Sequence, residues 1–416
     1  MRRALGILAC LCGLLTAWGQ SSEQLGSSYF AYPTPPALTP APEGYEPIML
    51  SHYARHGSRW LTEDRRYEEV LKEFDTHQLT DAGKALRERL EVVWQDAKGR
   101  SGELTRIGET QHHDIAQRMV RNFPTLFQHT DGIMAQSSTS RRCMMSMMSA
   151  CEGIKELLPT MRIQRSAYER DMEVINQESD ELKAFKKGNL WAHTEDSIYE
   201  AYCHPQRLMA QLFAHPEQIE DPIQLFDGIY WIVSNMQDVG LESLYDILTY
   251  DELKSYWKAI NYRMYVTNGP GSLNGGVTAR SSVNLLQDIL QEANEYMAQT
   301  TPGANHRLHL RFGHDSALLR LLTLMKVEEC KQVSGTDTDA NLVAEHWHDY
   351  ELVPMAANLQ IIFYQGKHTG DIIVRLLLNE HDAHLPLEAI NGCFYRWNDV
   401  KNLWKIQEDK QYKHKQ

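Results

Sequence analysis

An apolar run, Pro47-Ile48-Met49-Leu50, leads into Arg55-His56-Gly57-Ser58-Arg59, and this junction constrains the fold more than any other stretch. The run reads as a buried strand whose carboxyl end delivers the basic segment, the place where open α/β sheets bind ligands. The fork-shaped donors of Arg55 and Arg59 match the oxygens of a phosphate. Gly57 lets the backbone come close to whatever sits there. An imidazole among such cations is a nucleophile only while it stays neutral and aimed. Short basic motifs also occur on solvated loops, so elements elsewhere in the chain must decide between the two readings.

Two further stretches repeat the strand-then-polar-loop pattern. Ile133 to Thr139 reads as a core strand ending in Ser140-Arg141-Arg142-Cys143, which opens a helix towards Leu157. Arg307 to Gly313 alternates as a strand should, ends in His314-Asp315, and is followed by a buried helix. Leu359 to Tyr364 and Ile372 to Glu380 form a hairpin around Gly366 to Gly370. Helices start at Leu79-Thr80-Asp81-Ala82-Gly83, where Thr80 or Asp81 can cap, and after Leu104-Thr105-Arg106-Ile107-Gly108. His112 and His113 lie on the second of these, and as adjacent residues facing different directions they read as surface groups. From 158 to 300 the aromatics, Met and Leu recur at helical spacing and strand signals are few, so aromatic stripes there read as core. The expected architecture is α/β: a mainly parallel central sheet with helices on both faces, from residues 45–157 and 301–416. A mainly α-helical cap, residues 158–300, is inserted into it.

The N-terminus has a different character. Met1-Arg2-Arg3 and the apolar run Ala4 to Trp18 resemble a secretory signal, with cleavage expected before Gln20. The run is brief for a membrane span, and no later stretch is apolar enough for one. Residues 20–44 are rich in proline and read as an extended tether or strap that forms neither helix nor central strand. Removing the leader takes Cys10 and Cys12 and leaves Cys143, Cys151, Cys203, Cys330 and Cys393, which allow at most two disulfides. A net charge of -13 argues against nucleic acid or an anionic membrane as partner. A site for an anionic small molecule is then a local basic pocket in an acidic surface. No metal or cofactor is expected. His346-Trp347-His348 has no further ligand in view, and the glycines of Asn268 to Gly276 lack the strand-turn-helix context of a dinucleotide loop.

Arg55-His56-Gly57-Ser58-Arg59 after a strand, with Gly313-His314-Asp315 far downstream, resembles the histidine acid phosphatases, branch 2 of the histidine phosphatase superfamily. Leu104 to Gly108 also resembles the family, where such an element packs behind the nucleophile. Arg142 four residues before Ser146 fits the family's further arginine, with Arg141 as competitor; Arg142-Cys143 is similar to the inositol-phosphatase members. The resemblance implies His56 as the nucleophile that forms a phosphohistidine and Asp315 as proton donor to the leaving oxygen. It implies phosphate binding by Arg55, Arg59, Arg142 and His314, without a metal. Members like the multiple inositol polyphosphate phosphatases usually carry His-Ala-Glu, and His314-Asp315 departs from that, as in many phytases. The implied substrate is a small phosphate ester, inositol polyphosphates included, and the implied place is secreted or periplasmic. A phosphotransferase or mutase using the same phosphohistidine, and a non-catalytic phosphate-binding module, remain as alternatives. Arg65 and Arg66, beside the motif, can reach extra phosphates or simply face water.

Overall fold

The computed structural model describes residues 19–299, 305–334 and 337–405. The expected leader, apart from Gly19, lies outside the described residues. Among the described residues one mixed sheet contains β1 (Tyr45–Arg55), β2 (Ile133–Ser137), β3 (Ile163–Ser166), β4 (Arg307–Gly313), β5 (Asn358–Gly366), β6 (Ile372–Leu378), β7 (His381–Ala383) and β8 (Phe394–Arg396). The strand order is β3-β2-β4-β1-β5-β6-β7, with β8 on β6. β3, β2, β4 and β1 pair in parallel, and the remaining pairs are antiparallel. The parallel pairing expected for the sheet thus belongs to the half that carries the motifs. The other half begins with the expected hairpin, whose short link between β5 and β6 permits only antiparallel pairing.

Both faces of the sheet are covered, because β1 is apolar on both sides. Leu50 and Ala54 pack with Leu308, Leu310 and Phe312 against the helices Arg106–Asn122 and Arg141–Leu157. Met49 and Tyr53 point the other way, onto Leu318 and Leu322 of the helix Asp315–Met325. Each fully buried leucine stabilises the fold by roughly 1.5–3 kcal/mol. The helical stretch builds a separate apolar cluster between Pro222–Val239, Tyr250–Thr267 and the helix Arg65–Thr76. Inside that stretch, β3 returns to the sheet edge beside β2. Thr80 and Thr105 cap their helices, each accepting from the N–H of the glycine three residues on.

Two expectations need correction. The segment Gln24–Tyr29 forms a short helical turn, with Leu25 through Tyr29 buried. The prolines that forbid helix begin only at Pro33, so they do not act on these residues. His112 is buried, 1 % exposed, on the same helix face as Gly108, Ile115 and Met119. That spacing of three and four was the signal for burial, and the neighbouring His113 alone keeps to the surface with Asp114 and Glu156. The five cysteines among the described residues are all free and buried, so no disulfide forms between them.

Candidate active site

Register brings the separated motifs together. Arg55 at the end of β1 pairs with Gly313 at the end of β4, and Ser137 at the end of β2 pairs with Phe312. Three adjacent parallel strands therefore stop at one level. The first residue past each continues the contact: the His56 amide donates to the Gly313 carbonyl (3.0 Å), and the Ser138 amide to the Phe312 carbonyl (2.9 Å). The loops that follow carry Arg55, His56 and Arg59 from β1, Arg142 from β2, and His314 and Asp315 from β4.

The backbone around His56 closes onto the helix Arg106–Asn122. A Cβ on Gly57 would lie 2.5 Å from the Gly108 carbonyl oxygen, so glycine is required for this approach. The Gly57 amide donates to the Ser146 hydroxyl (3.0 Å), and His112 hydrogen-bonds the Arg55 backbone from below. Burial lowers the pKa of His112 to about 4, so it serves as a neutral prop.

The His56 Nδ1–H donates to the Gly57 carbonyl (2.9 Å), since a carbonyl can only accept. Nε2 then carries the free lone pair. Burial, followed by the charges of Arg55, Arg59 and Arg142, holds its pKa well below the usual histidine range. Similar logic fixes the tautomer of His314. Its Nε2 lies 3.0 Å from Arg142 Nη2, which can only donate, while Nδ1–H donates to Asn176 Oδ1 (3.1 Å). Burial and then Arg142 lower the pKa of His314 to about 4. The two imidazole rings stand 5.6 Å apart, edge to face.

Arg55 is fully buried and donates through Nη1 to the carbonyls of Ser28 and Val353, while its Nη2 lies 3.1 Å from Asp315 Oδ2. Arg59 donates to the Tyr29 hydroxyl (2.9 Å) and to the Trp60 carbonyl (2.9 Å), and it packs over the Tyr29 ring. The Nε–H groups of Arg55, Arg59 and Arg142 are buried with no acceptor among the described residues. Unsatisfied buried donors cost about 1–3 kcal/mol each, a cost that an oxyanion removes. Burial would raise the pKa of Asp315, yet Arg55, His314 and the Ser316 amide hold it below the ordinary carboxylate value. Asp315 is ionised at neutral pH.

All six residues singled out from the sequence thus lie in one cluster, and Arg141 is exposed outside it. Sequence reading missed Ser28, Tyr29, Asn176 and His112. Only His112 had a signal, in its helical period; the others arrive from segments with no motif of their own. Beyond Arg59 the cluster continues into a cleft of about 510 Å³, lined by Tyr29, Thr62, Arg66, Tyr199, Trp231 and Arg263 among others.

Known proteins are similar to this chain in sequence and in fold. The human multiple inositol polyphosphate phosphatase 1 is 28% identical over 161 residues, which cover 37% of this chain and 30% of that protein. A solved structure of Bifidobacterium longum multiple inositol polyphosphate phosphatase with inositol hexasulfate superposes with a TM-score of 0.77 at 17% identity, covering 91% of this chain and 97% of that one. The phytase from D. castellii superposes with a TM-score of 0.65 at 14% identity, over 92% of this chain and 84% of that one. At such identities these two structures speak for the fold. The sequence profile of the histidine phosphatase superfamily (branch 2) matches residues 53–379, from within β1 to just past β6. With that match spanning most of its length, the chain belongs to branch 2 of the histidine phosphatase superfamily.

Proposed function

We propose that the protein hydrolyses phosphate monoesters through a phosphohistidine on His56. The observation that carries this reading is the neutral, buried His56, with its Nδ1–H tied to Gly57 and the Nε–H donors of three arginines unsatisfied around it. His56 Nε2 attacks phosphorus, the P–O bond to the alcohol breaks, and the leaving oxygen takes a proton from Asp315. Water, giving its proton back to Asp315, then cleaves the P–N bond and releases phosphate. Arg55, Arg59 and Arg142 hold the three remaining oxygens, a preorganised donor of this type being worth about 3 kcal/mol. A dianion set between Arg142 and His314 raises the proton affinity of the imidazole, and the protonated ring then donates to an oxygen as well. The same dianion engages Arg55, weakens its hold on Asp315, and lets that carboxyl take up the proton it must deliver.

The cleft beyond Arg59 supports a substrate with more than one phosphate, inositol polyphosphates (phytate included) being the class that the relatives' names suggest. Its other charges are engaged. Arg263 pairs with Glu195 (3.1 Å), and Asp227 accepts from Trp231 (2.7 Å) and Tyr256 (2.5 Å). Arg66 lines the same cleft without a carboxylate partner among the described residues.

A panel of phosphate esters assayed across pH tests the proposal. Activity persists to about pH 5, where an imidazole of ordinary pKa near 6.5 is mostly protonated, because the depressed pKa keeps His56 neutral. Alkyl esters gain as the pH falls, because Asp315 must be protonated. Arg66→Ala raises KM about tenfold for phytate, the scale of one lost charge-assisted hydrogen bond, and leaves p-nitrophenyl phosphate unchanged. Equal loss on both substrates would exclude a second phosphate contact at Arg66, and absence of hydrolysis on the whole panel would refute the function. Transfer of the phosphoryl group to an added alcohol in preference to water would instead favour a phosphotransferase. We propose further that the chain is exported to a secreted or periplasmic location. Arg2, Arg3 and the apolar run after them support this, and N-terminal sequencing of the mature protein, expected to begin at Gln20, checks it.

A further inference from the structure

Ser58 sits between the two arginines of the motif, and every polar atom it has is engaged. Its amide donates to Gln111 Oε1 (2.9 Å), and its carbonyl accepts from the Thr105 amide (2.9 Å) and the Thr105 hydroxyl (3.1 Å). Its hydroxyl accepts from Gln111 Nε2 (2.9 Å) and donates to Asp238 Oδ1 (2.6 Å). Asp238 is fully buried near the end of the helix Pro222–Val239. Its Oδ2 lies 3.3 Å from Asn235 Nδ2, which also donates to the Arg59 carbonyl (2.8 Å), and its own carbonyl accepts from Thr105 (2.7 Å). Asp238 thus ties three parts together: its carboxyl group joins the helical stretch to the basic loop through Ser58, and its backbone carbonyl takes the capping residue Thr105. It also lies within electrostatic reach of both Arg55 and Arg59. The catalytic steps make no use of it.

We propose that Asp238 is a positioning residue: its carboxylate locks Ser58, and its charge, shared with Arg55 and Arg59, loosens their grip on the bound anion so that product phosphate leaves. The inference rests on the reading that this pocket binds phosphate. Arg55 and Arg59 are buried and Arg142 is half-buried, so a counter-charge beside them speeds the release of product phosphate, and Asp315 offsets only one of the three. Burial pushes the pKa of Asp238 up to about 7, against the opposing pull of Ser58 and the arginines. The titratable and charged groups facing it are Arg55 and Arg59 from the loop and Tyr245 from the turn after its helix, whose hydroxyl burial keeps protonated. Thr105 and Gln111, from the helix Arg106–Asn122 and its cap, carry no charge. Asp238 is therefore the group here whose charge changes near neutrality, neutral below about pH 7 and negative above it.

Sulfate tests this without hydrolysis, because its own charge is constant across the range. In calorimetric titrations of the wild-type protein, sulfate affinity falls about tenfold between roughly pH 5.5 and 8.5, the order expected for one buried charge at short range. In Asp238→Asn the fall shrinks to the smaller part that His314 contributes by taking a proton beside the anion, and at about pH 8.5 sulfate binds the variant several-fold more tightly than the wild type. The variant also shows stronger inhibition by inorganic phosphate and a lower kcat at alkaline pH. Ser58→Ala, which removes the hydroxyl and leaves the charge, lowers kcat and keeps the step. A sulfate affinity flat with pH in the wild type overturns the proposal even if Asp238→Asn fails to fold, and so does a step of undiminished size in Asp238→Asn. Failure of the hydrolytic reading would show separately, as sulfate binding without turnover of any ester.

Discussion

His56→Ala lowers turnover of p-nitrophenyl phosphate by about 10⁵-fold, the scale seen when a nucleophile is removed from an otherwise intact site. The loss is that large because nothing nearby can replace the imidazole. The Nε2 of His314 is engaged by Arg142, and the carboxylate of Asp315 is held by Arg55. The buried Cys143 thiol has its pKa pushed up to about 11, so it offers no thiolate at neutral pH. Rapid quenching with a ³²P-labelled ester shows acid-labile, base-stable phosphoprotein in the wild type and none in the variant. The fold survives the change, because the hydrogen bond lost, Nδ1–H to Gly57, is local, while the Gly57 amide keeps its bond to Ser146. A variant that still accumulates phosphohistidine would remove His56 from the attack.

Asp315→Asn separates the two halves of the reaction. A general acid contributes about 10²–10⁴-fold where the leaving group needs its proton. Alkyl phosphates, whose alkoxides are poor leaving groups, therefore lose that factor in the first turnover. p-Nitrophenolate needs no proton, so its release in the first turnover stays within about tenfold of wild type. The second step still lacks its base, and the phosphoenzyme accumulates. The expected result is a stoichiometric burst of p-nitrophenol followed by slow turnover, with no burst from an alkyl ester, read by stopped flow and quench. The amide keeps the shape of the carboxylate but gives up its 3.1 Å ion pair with Arg55 and its negative charge, so a modest tightening of phosphate binding accompanies the change. An alkyl ester released at the wild-type rate would show that the proton comes from elsewhere.

The elements nearest the chemistry were the ones most legible in the sequence. β1, β2 and β4 each announce themselves by an apolar or alternating run, and each is followed by its polar residues without delay. Thr80 was readable as a candidate cap beside Asp81 because capping is a local act, settled by a hydroxyl and an amide three residues away, and Thr105 caps its helix in the same way. Adjacency to His113 suggests the surface for His112, but its period decides: with Gly108, Ile115 and Met119 it follows the buried stripe. The turn Gln24–Tyr29 was hidden by the prolines after it. Its burial depends on partners far away, Asp349 for the Ser27 hydroxyl and Arg59 for the Tyr29 hydroxyl.

By itself the sequence determined which residues gather at the strand ends, which strands deliver them, and that the chain belongs with one family. These are properties of short segments, set by side-chain chemistry and by period. The tertiary structure alone decided that Ser28 and Tyr29 hold Arg55 and Arg59, that Asn176 sets the tautomer of His314, and that Asp238 sits against Ser58. Each of these contacts joins residues 27 to 180 positions apart. A buried hydrogen bond is specified by where two surfaces meet, and no local pattern in either segment encodes its partner.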